Sequence, residues 1–304
     1  SPPRARRSKL PEPEIEPVAA SVGLRHGAVR QLRELLRDRQ ARAAAGAFVV
    51  EGPRAVDAAL DRGARLERAF LGPRADVAFP ALCARLAAAG VPLLALKEGV
   101  LEKLGSTRTP QPVLAVASIP AVDRAALARD GLVVVAMPVS DPGNLGTLMR
   151  SAEASGAAAI VLGPGSVDAY NPKVVRASAG AIFGIPLVDA ESEGWSAVEA
   201  LDALGELGRQ RLGATAGEGA AHTEVDFTRP TAVVLGNEAH GIDAEVARHL
   251  DGHVRIAMAG PAESLNVAMA GTVLCFESTR QRSARFGAVG QPHGPSNGVE
   301  TGDG

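Results

Sequence analysis

The sequence predicts an α/β fold in which strands of a mostly parallel sheet alternate with helices. Short apolar runs bounded by turn residues recur between stretches of helical periodicity, the pattern of a sheet covered by helices on both faces. Leu132–Met137 is apolar at every position, as expected for a strand buried on both sides. The chain has 304 residues, 46% hydrophobic and 22% charged, which favours two globular domains over one.

A small α/β/α domain is predicted over residues 21–118, followed by a linker at 119–130. Leucines recur on one face of the first helix, and Pro53 suits the first turn of the second. The predicted helices are 26–42, Pro53 to about Arg62 and Pro80–Ala89, and the predicted strands are Phe48–Val50, Leu66–Leu71, Val91–Leu96 and Val113–Ala117.

The second domain is predicted over residues 131–282. Its predicted strands are Leu132–Met137, Ala159–Leu162, Ile185–Val188, Leu212–Ala216, Thr231–Leu235 and Val254–Ala257, and its predicted helices are Leu145–Ser155, Lys173–Ala181, Trp195–Leu204 and Ser264–Arg280. Residues 1–20, with five prolines, and residues 283–304, rich in Gly, Pro, Ser and Asn, are predicted to be disordered tails, since they can bury little apolar surface.

Charge and cysteine usage limit the partners. No apolar run approaches the roughly 20 residues that span a bilayer, so no membrane role is predicted. Cys83 and Cys275 lie in apolar surroundings and are predicted to be buried free thiols, which fits a reducing cytoplasm.

The segment between Arg25 and Arg42 contains six arginines and two acidic residues, although the net charge of the whole chain is −2. This face either contacts nucleic-acid phosphates or is simply solvated; its candidate nucleic-acid-binding residues are Arg30, Arg33 and Arg37.

Three loops after predicted strands carry polar residues. In the first, Asp141-Pro142-Gly143 forces a turn, Asn144 is a good helix N-cap, and Arg150 lies within the helix that follows. Open α/β sheets bind ligands beyond the carboxyl ends of their strands, which is where this loop lies. An ordinary strand–turn–helix connection with a surface arginine would look the same.

The second loop, Leu235–Ile242, contains Glu238 between Gly236 and Gly241, which permit close approach of a ligand. The third runs from Ile256 through Met258 to Ser264-Leu265-Asn266-Val267, where Ser264 can cap a long apolar helix. Each loop also fits a plain turn or cap. No cluster of His and Cys has metal-ligand spacing, so no metal is predicted.

Taken in order, these loops resemble the three motifs of the SpoU (TrmH) class of SPOUT RNA methyltransferases. Asn144, Gly146 and Arg150 match the first motif, and Gly236, Glu238 and Gly241 match the second. Ser264–Val267 matches the third, with Ala257 where the family usually has proline. The segment Lys173–Gly180, which includes Arg176, and the segment Phe48–Arg54 also look like family segments, so that the resemblance covers about residues 25–281.

The resemblance implies a methyltransferase domain with a trefoil knot, a homodimer, and S-adenosylmethionine as cofactor. It implies cofactor contacts at Leu235, Gly236, Gly241, Ile256, Met258 and Leu265. It implies a reaction centre formed by Asn144, Arg150, Glu238, Ser264 and Asn266, and it adds Arg176 to the RNA-binding residues. The expected reaction is methylation of a ribose 2′-hydroxyl, with ribosomal RNA favoured by the additional N-terminal domain. A transfer RNA substrate and an RNA-binding protein without catalysis remain alternatives.

The role of Arg150 stays open at the level of sequence. The family's equivalent arginine is proposed as general base, but a free guanidinium stays protonated throughout the physiological pH range. The alternative is that Arg150 clamps a substrate phosphate and orients the hydroxyl.

Overall fold

A computed structural model describes residues 19–104, 110–237, 240–261 and 264–286. The chain separates into two compact units. The first contains the residues up to Val122 together with Asp141–Arg150 and Val167–Gly184, and the second contains the rest. Two segments of the predicted methyltransferase domain therefore pack with the N-terminal unit.

The first unit is built on a five-stranded mixed sheet of order β1-β4-β3-β5-β2. Its strands are β1 Ala19–Val22, β2 Ala47–Glu51, β3 Leu66–Leu71, β4 Leu93–Leu96 and β5 Val113–Ser118. The helices in this part of the chain are α1 Gly27–Arg37, α2 Arg39–Ala45, α3 Pro53–Asp61, α4 Ala75–Ala78, α5 Pro80–Ala88 and α6 Val100–Leu104. One core cluster packs α1 and α6 against the sheet, with Leu32, Val49 and Phe70 fully buried.

The predicted helix 26–42 is two helices. Asp38 has an extended backbone, ends α1, and accepts a hydrogen bond from the backbone N–H of Gln40 at the start of α2. An aspartate at this position caps the second helix, which the leucine pattern of the first does not reveal. The break also redirects Arg42, whose side chain is only 4% exposed.

The second unit is built on a seven-stranded sheet of order β10-β12-β9-β11-β6-β7-β8, in which every pairing is parallel. Its strands are β6 Leu132–Met137, β7 Ala159–Leu162, β8 Leu187–Asp189, β9 Gln210–Thr215, β10 Ala220–Ala221, β11 Thr231–Gly236 and β12 Gly252–Arg255. The predicted α/β class with a parallel sheet is confirmed, and the continuous apolar run of β6 is buried throughout.

The remaining helices connect or cover these strands: α7 Pro142–Ala154, α8 Pro172–Ala177, α9 Ala197–Glu206, α10 Ala244–Ala247 and α11 Val267–Phe286. Helix α8 is shorter than predicted, because Ala179 and Gly180 adopt positive φ values of 49° and 95°. Helix α11 extends beyond 282, into the segment predicted to be a tail. Ala19 and Ala20, predicted to belong to the first tail, begin strand β1, which pairs with β4. The remainder of both predicted tails, 1–18 and 287–304, lies outside the described residues.

The predicted linker 119–130 contains a 3₁₀ helix, Arg124–Ala128, whose Ala126 and Leu127 are buried in the core of the second unit. Buried Arg209 stabilises the same region by donating hydrogen bonds to the carbonyls of Leu127, Gly131 and Thr231. Thus half of this linker is part of a packed domain. No helix among the described residues is long and apolar enough to cross a membrane.

Candidate active site

A cavity of about 550 Å³ lies beyond the carboxyl ends of three neighbouring parallel strands, β12, β9 and β11. Its walls include all of the residues predicted to contact a cofactor and two of those predicted for the reaction centre: Leu235, Gly236, Gly241, Ile256, Met258, Leu265, Ser264 and Asn266. Residues as far apart in the sequence as Ala214 and Ala270 thus meet where parallel sheets form their binding sites.

The loop after β11 explains the two glycines of the second motif. Asn237 and Gly241 exchange two backbone hydrogen bonds of 2.8 Å, and Gly241 has a φ of 69°. A Cβ on Gly236 would lie 2.4 Å from the carbonyl carbon of Gly241. Only glycine fits at that distance, and the absence of a side chain at Gly236 allows the loop to close back on the end of the strand. Glu238, predicted to be catalytic, lies outside the described residues.

At the third motif, the residue that caps the following helix is not the one predicted. The side chain of Asn266, and not that of Ser264, accepts hydrogen bonds from the backbone N–H groups of Ala268 and Met269, at 2.9 and 3.3 Å. Asn266 is therefore the N-cap of α11, which begins at Val267. The prediction that Ser264 caps the helix was wrong, because the helix starts two residues later than the apolar pattern indicates.

The first motif is carried by α7. Asp141 accepts a hydrogen bond from the backbone N–H of Asn144 at 2.8 Å, so the capping side chain is Asp141, and Asn144 lies in the first turn. Gly146 faces α8, where a Cβ would come within 2.4 Å of that of Ala177. Arg150 is exposed. Neither Asn144 nor Arg150 is among the described residues that line the cavity.

The predicted RNA-binding arginines occupy two helices. Arg30 and Arg37 are exposed on α1, and Arg33 between them is half-buried. Arg176, on α8, donates a hydrogen bond from Nη2 to Oε2 of Glu51 at 3.0 Å. Arg42 does not belong to the cationic face, because it bonds Asp168 and the carbonyl of Leu35 in the interior.

Sequence reasoning missed several residues of the cavity wall, namely Thr215, Asn237, Ile242 and His253. Thr215 ends β9 and His253 belongs to β12, so their nearness follows from strand order, which no local motif encodes. Asn237 could have been selected because it lies between Gly236 and Glu238. Its amide donates to the carbonyl of Pro138 at 3.4 Å.

The two cysteines are free and buried, as predicted. Cys275 lies in α11, and burial raises the pKa of its thiol to about 11, which keeps it protonated and unreactive. Within the described ranges, no group of three or more His, Cys, Asp or Glu side chains is arranged to hold a metal ion.

The second unit combines a fully parallel sheet with a cavity beyond the ends of its strands. This combination is typical of α/β proteins that bind a ligand at that edge of the sheet. The family description for the SpoU rRNA methylase family matches residues 131–276, and that for the MRM3-like substrate binding domain matches residues 27–115. With the relatives below, these matches show that the chain belongs to the SpoU rRNA methylase family.

Two curated relatives and one solved structure illustrate the similarity. The chain is 36% identical to the 23S rRNA (guanosine(2553)-2'-O)-methyltransferase RlmP of Bacillus subtilis over 62% of its own length and 72% of the relative's. It is 33% identical to a 23S rRNA (uridine(2479)-2'-O)-methyltransferase of Streptomyces viridochromogenes, over 88% and 95% of the two chains. An AdoMet-bound rRNA methyltransferase from Sinorhizobium meliloti superimposes with a TM-score of 0.73 at 27% identity, covering 86% and 97%.

Proposed function

We propose that this chain transfers the methyl group of S-adenosylmethionine to a ribose 2′-oxygen of large-subunit ribosomal RNA. The observation that carries the proposal is one cavity whose wall contains Gly236, Asn237 and Gly241 of the second motif together with Ser264–Val267 of the third. The family and the relatives named as 23S ribosomal RNA 2′-O-methyltransferases support the same activity. The protein is an S-adenosylmethionine-dependent RNA methyltransferase.

The cavity fits the cofactor in size and in chemistry. Its volume of about 550 Å³ is within the range of roughly 300–1,000 Å³ typical of small-molecule sites. The polar side chains of the described wall are Thr215, Asn237, His253, Ser264 and Asn266, and its loops also offer backbone groups. Leu235, Gly236, Gly241, Ile256, Met258 and Leu265 would hold the cofactor. When bound, it supplies a methyl carbon activated by a sulfonium.

The chain's own residues would then position and deprotonate the ribose hydroxyl. Arg150, Asn144, Glu238, Ser264 and Asn266 are the proposed reaction-centre residues. Arg150 acts through either of two roles: it removes the proton, or it clamps a neighbouring phosphate and orients the hydroxyl. Exposure of Arg150 supports contact with a large substrate, since a buried arginine could not reach RNA.

RNA binding is assigned to Arg30, Arg33 and Arg37 of α1 and to Arg176 of α8. The spacing of three and four residues in α1 places the three side chains on one face of the helix. Phosphate contacts of this kind give affinity without sequence information. The proposal therefore predicts salt-sensitive binding to RNA.

We further propose that the protein is a homodimer formed through α11. Met269 and Phe276 are 52% and 48% exposed, and Leu265, just before the helix, is 41% exposed. Positions 269 and 276 are two helical turns apart, so they share one face. Large apolar side chains exposed on one face are typical of a surface that is covered in an assembly. The trefoil knot implied by the family resemblance and the cytoplasmic location indicated by the two free cysteines remain part of the proposal.

The experiment that tests the function is a map of ribose methylation in RNA from cells with and without this protein. A 2′-O-methyl group that disappears from large-subunit ribosomal RNA on deletion, and returns with the intact gene, is the expected result. Loss of a methyl group from transfer RNA alone would overturn the ribosomal substrate. An unchanged map, together with no methyl transfer by the purified protein, would support a non-catalytic RNA-binding protein instead.

A further inference from the structure

Glu51 ends strand β2, and its carboxylate is almost wholly buried. The side chain is 5% exposed, whereas that of its partner Arg176 is 38% exposed. Oε2 of Glu51 accepts the hydrogen bond from Arg176 at 3.0 Å. Oε1 is buried and has no hydrogen-bond partner among the described residues. The pair thus joins a buried acid to a guanidinium that reaches solvent.

A contribution to the stability of the fold does not explain why a glutamate occupies this buried position. Burial raises the pKa of the Glu51 carboxyl, and the charge and hydrogen bond of Arg176 oppose that shift. The rest of β2, Ala47–Val50, is apolar and buried. A carboxylate with one oxygen unpaired in such surroundings costs more than an apolar side chain of similar size.

A second ion pair in the same unit shows what a purely structural pair looks like. Arg42 uses Nε and Nη2 to bond Asp168 Oδ2 at 2.8 and 2.5 Å, and uses Nη1 to bond the carbonyl of Leu35. Both side chains are largely buried, at 4% and 13% exposure. In this pair the guanidinium is turned inward, whereas in the Glu51–Arg176 pair it is turned outward.

We propose that Glu51 is a positioning residue, which holds the guanidinium of Arg176 in the orientation that binds a phosphate of the substrate RNA. The inference rests on the proposed function and adds to it a residue with no direct RNA contact. A rigid, buried acceptor on a β-strand restricts the rotamers of a long side chain. An arginine that is already oriented loses less conformational entropy when it binds phosphate.

The test is a double-mutant cycle with Glu51→Gln, Arg176→Ala and the double variant. Its readouts are kcat and the KM for an unmethylated 23S ribosomal RNA transcript. We expect Glu51→Gln to raise that KM about tenfold, the effect of weakening one charge-assisted hydrogen bond. We expect kcat and the affinity for S-adenosylmethionine to stay unchanged. In the Arg176→Ala background, Glu51→Gln should add nothing to the KM, because the residue that it orients is gone.

Stability measurements separate positioning from folding. Glu51→Gln replaces a buried carboxylate, one oxygen of which has no hydrogen-bond partner among the described residues, with a neutral amide, so the melting temperature should not fall. Arg176→Ala leaves the buried carboxylate without its partner and should lower the melting temperature, and the double variant should recover it. Glu67→Gln is the matched control, because Glu67 on β3 accepts a side-chain hydrogen bond from Ser118 at 3.0 Å in the same sheet.

Three results would overturn the assignment: an unchanged KM in Glu51→Gln, effects on KM that multiply in the double variant, or the same KM rise in Glu67→Gln. Failure of the unaltered protein to methylate any ribosomal RNA is a different result, which would overturn the proposed function on which this inference rests.

Discussion

Arg150 is the residue whose replacement tests the proposed chemistry most directly. It is exposed on α7, so substitution should not disturb folding. Lysine keeps the charge but lacks the planar fork that holds a group in two directions. We expect Arg150→Lys and Arg150→Ala each to lower turnover at least about a hundredfold, the low end for a lost acid–base group. Affinity for S-adenosylmethionine should stay within roughly threefold, since the interaction is made with the other substrate.

RNA affinity of the same two variants separates the roles of Arg150. A phosphate clamp predicts weaker RNA binding together with lower turnover, and a general base predicts lower turnover at unchanged RNA affinity. Arg85→Lys, a surface arginine of α5, serves as the control. Near-normal methyl transfer by both Arg150 variants would show that the site is wrongly assigned.

Gly236 tests the cofactor cavity. The 2.4 Å approach of an added Cβ to the carbonyl carbon of Gly241 leaves no room for alanine, so the loop must open. We expect Gly236→Ala to weaken binding of S-adenosylmethionine at least about tenfold, because cofactor contacts depend on that backbone. Titration calorimetry with a chelator present measures the effect and also tests the predicted independence from metal.

Gly217→Ala is the matched control for Gly236→Ala, since Gly217 also follows a sheet strand and its added Cβ meets nothing within 4 Å. Equal cofactor affinity in the two variants would contradict the proposed geometry. Loss of binding in the unaltered protein on chelation would refute the metal-free site.

At the scale of elements, helix α11 depends on its cap. Asn266 Oδ1 accepts two backbone N–H groups at the start of the helix. Removal of such a cap costs about 1 kcal/mol, which corresponds to roughly 2–4 °C in the melting temperature of a domain of this size. We expect that loss in Asn266→Ala, whereas Asn266→Asp retains an acceptor and most of the stability. Ser264→Ala should melt like the unaltered protein; if it melted lower than Asn266→Ala, the cap assignment would be wrong.

The elements that the sequence predicted best are strands with a continuous apolar run. Leu132–Met137 and Ala159–Leu162 agree residue for residue, because turn residues bound them on both sides. The two-residue strand β10 and the start of α11 were not predictable in this way. Strand β10 forms only by pairing with its neighbour β12. The start of α11 depends on which of two candidate side chains, Ser264 or Asn266, caps the helix.

At the scale of the whole molecule, the local sequence pattern predicts two sheets. It does not predict the order of the strands or the long-range contacts within each unit. The motifs were found because each follows a strand, yet the meeting of the second and third motifs in one cavity depends on β9 lying between β12 and β11. The grouping of Val167–Gly184 with the N-terminal unit likewise depends on long-range pairs such as Arg42–Asp168 and Glu51–Arg176. Neither pair is visible from spacing, since their partners lie 126 and 125 positions apart.

The last prediction concerns assembly. If Met269 and Phe276 form the core of a dimer interface, a charge at either position is desolvated only in the dimer and should prevent association. We expect Met269→Glu and Phe276→Glu to be folded monomers and the unaltered protein to have twice the monomer mass in light scattering at micromolar concentration. Leu207→Glu is the control, because Leu207 is 45% exposed but lies outside α11. A monomeric mass for the unaltered protein, or dimers that survive both α11 substitutions, would refute association through this face.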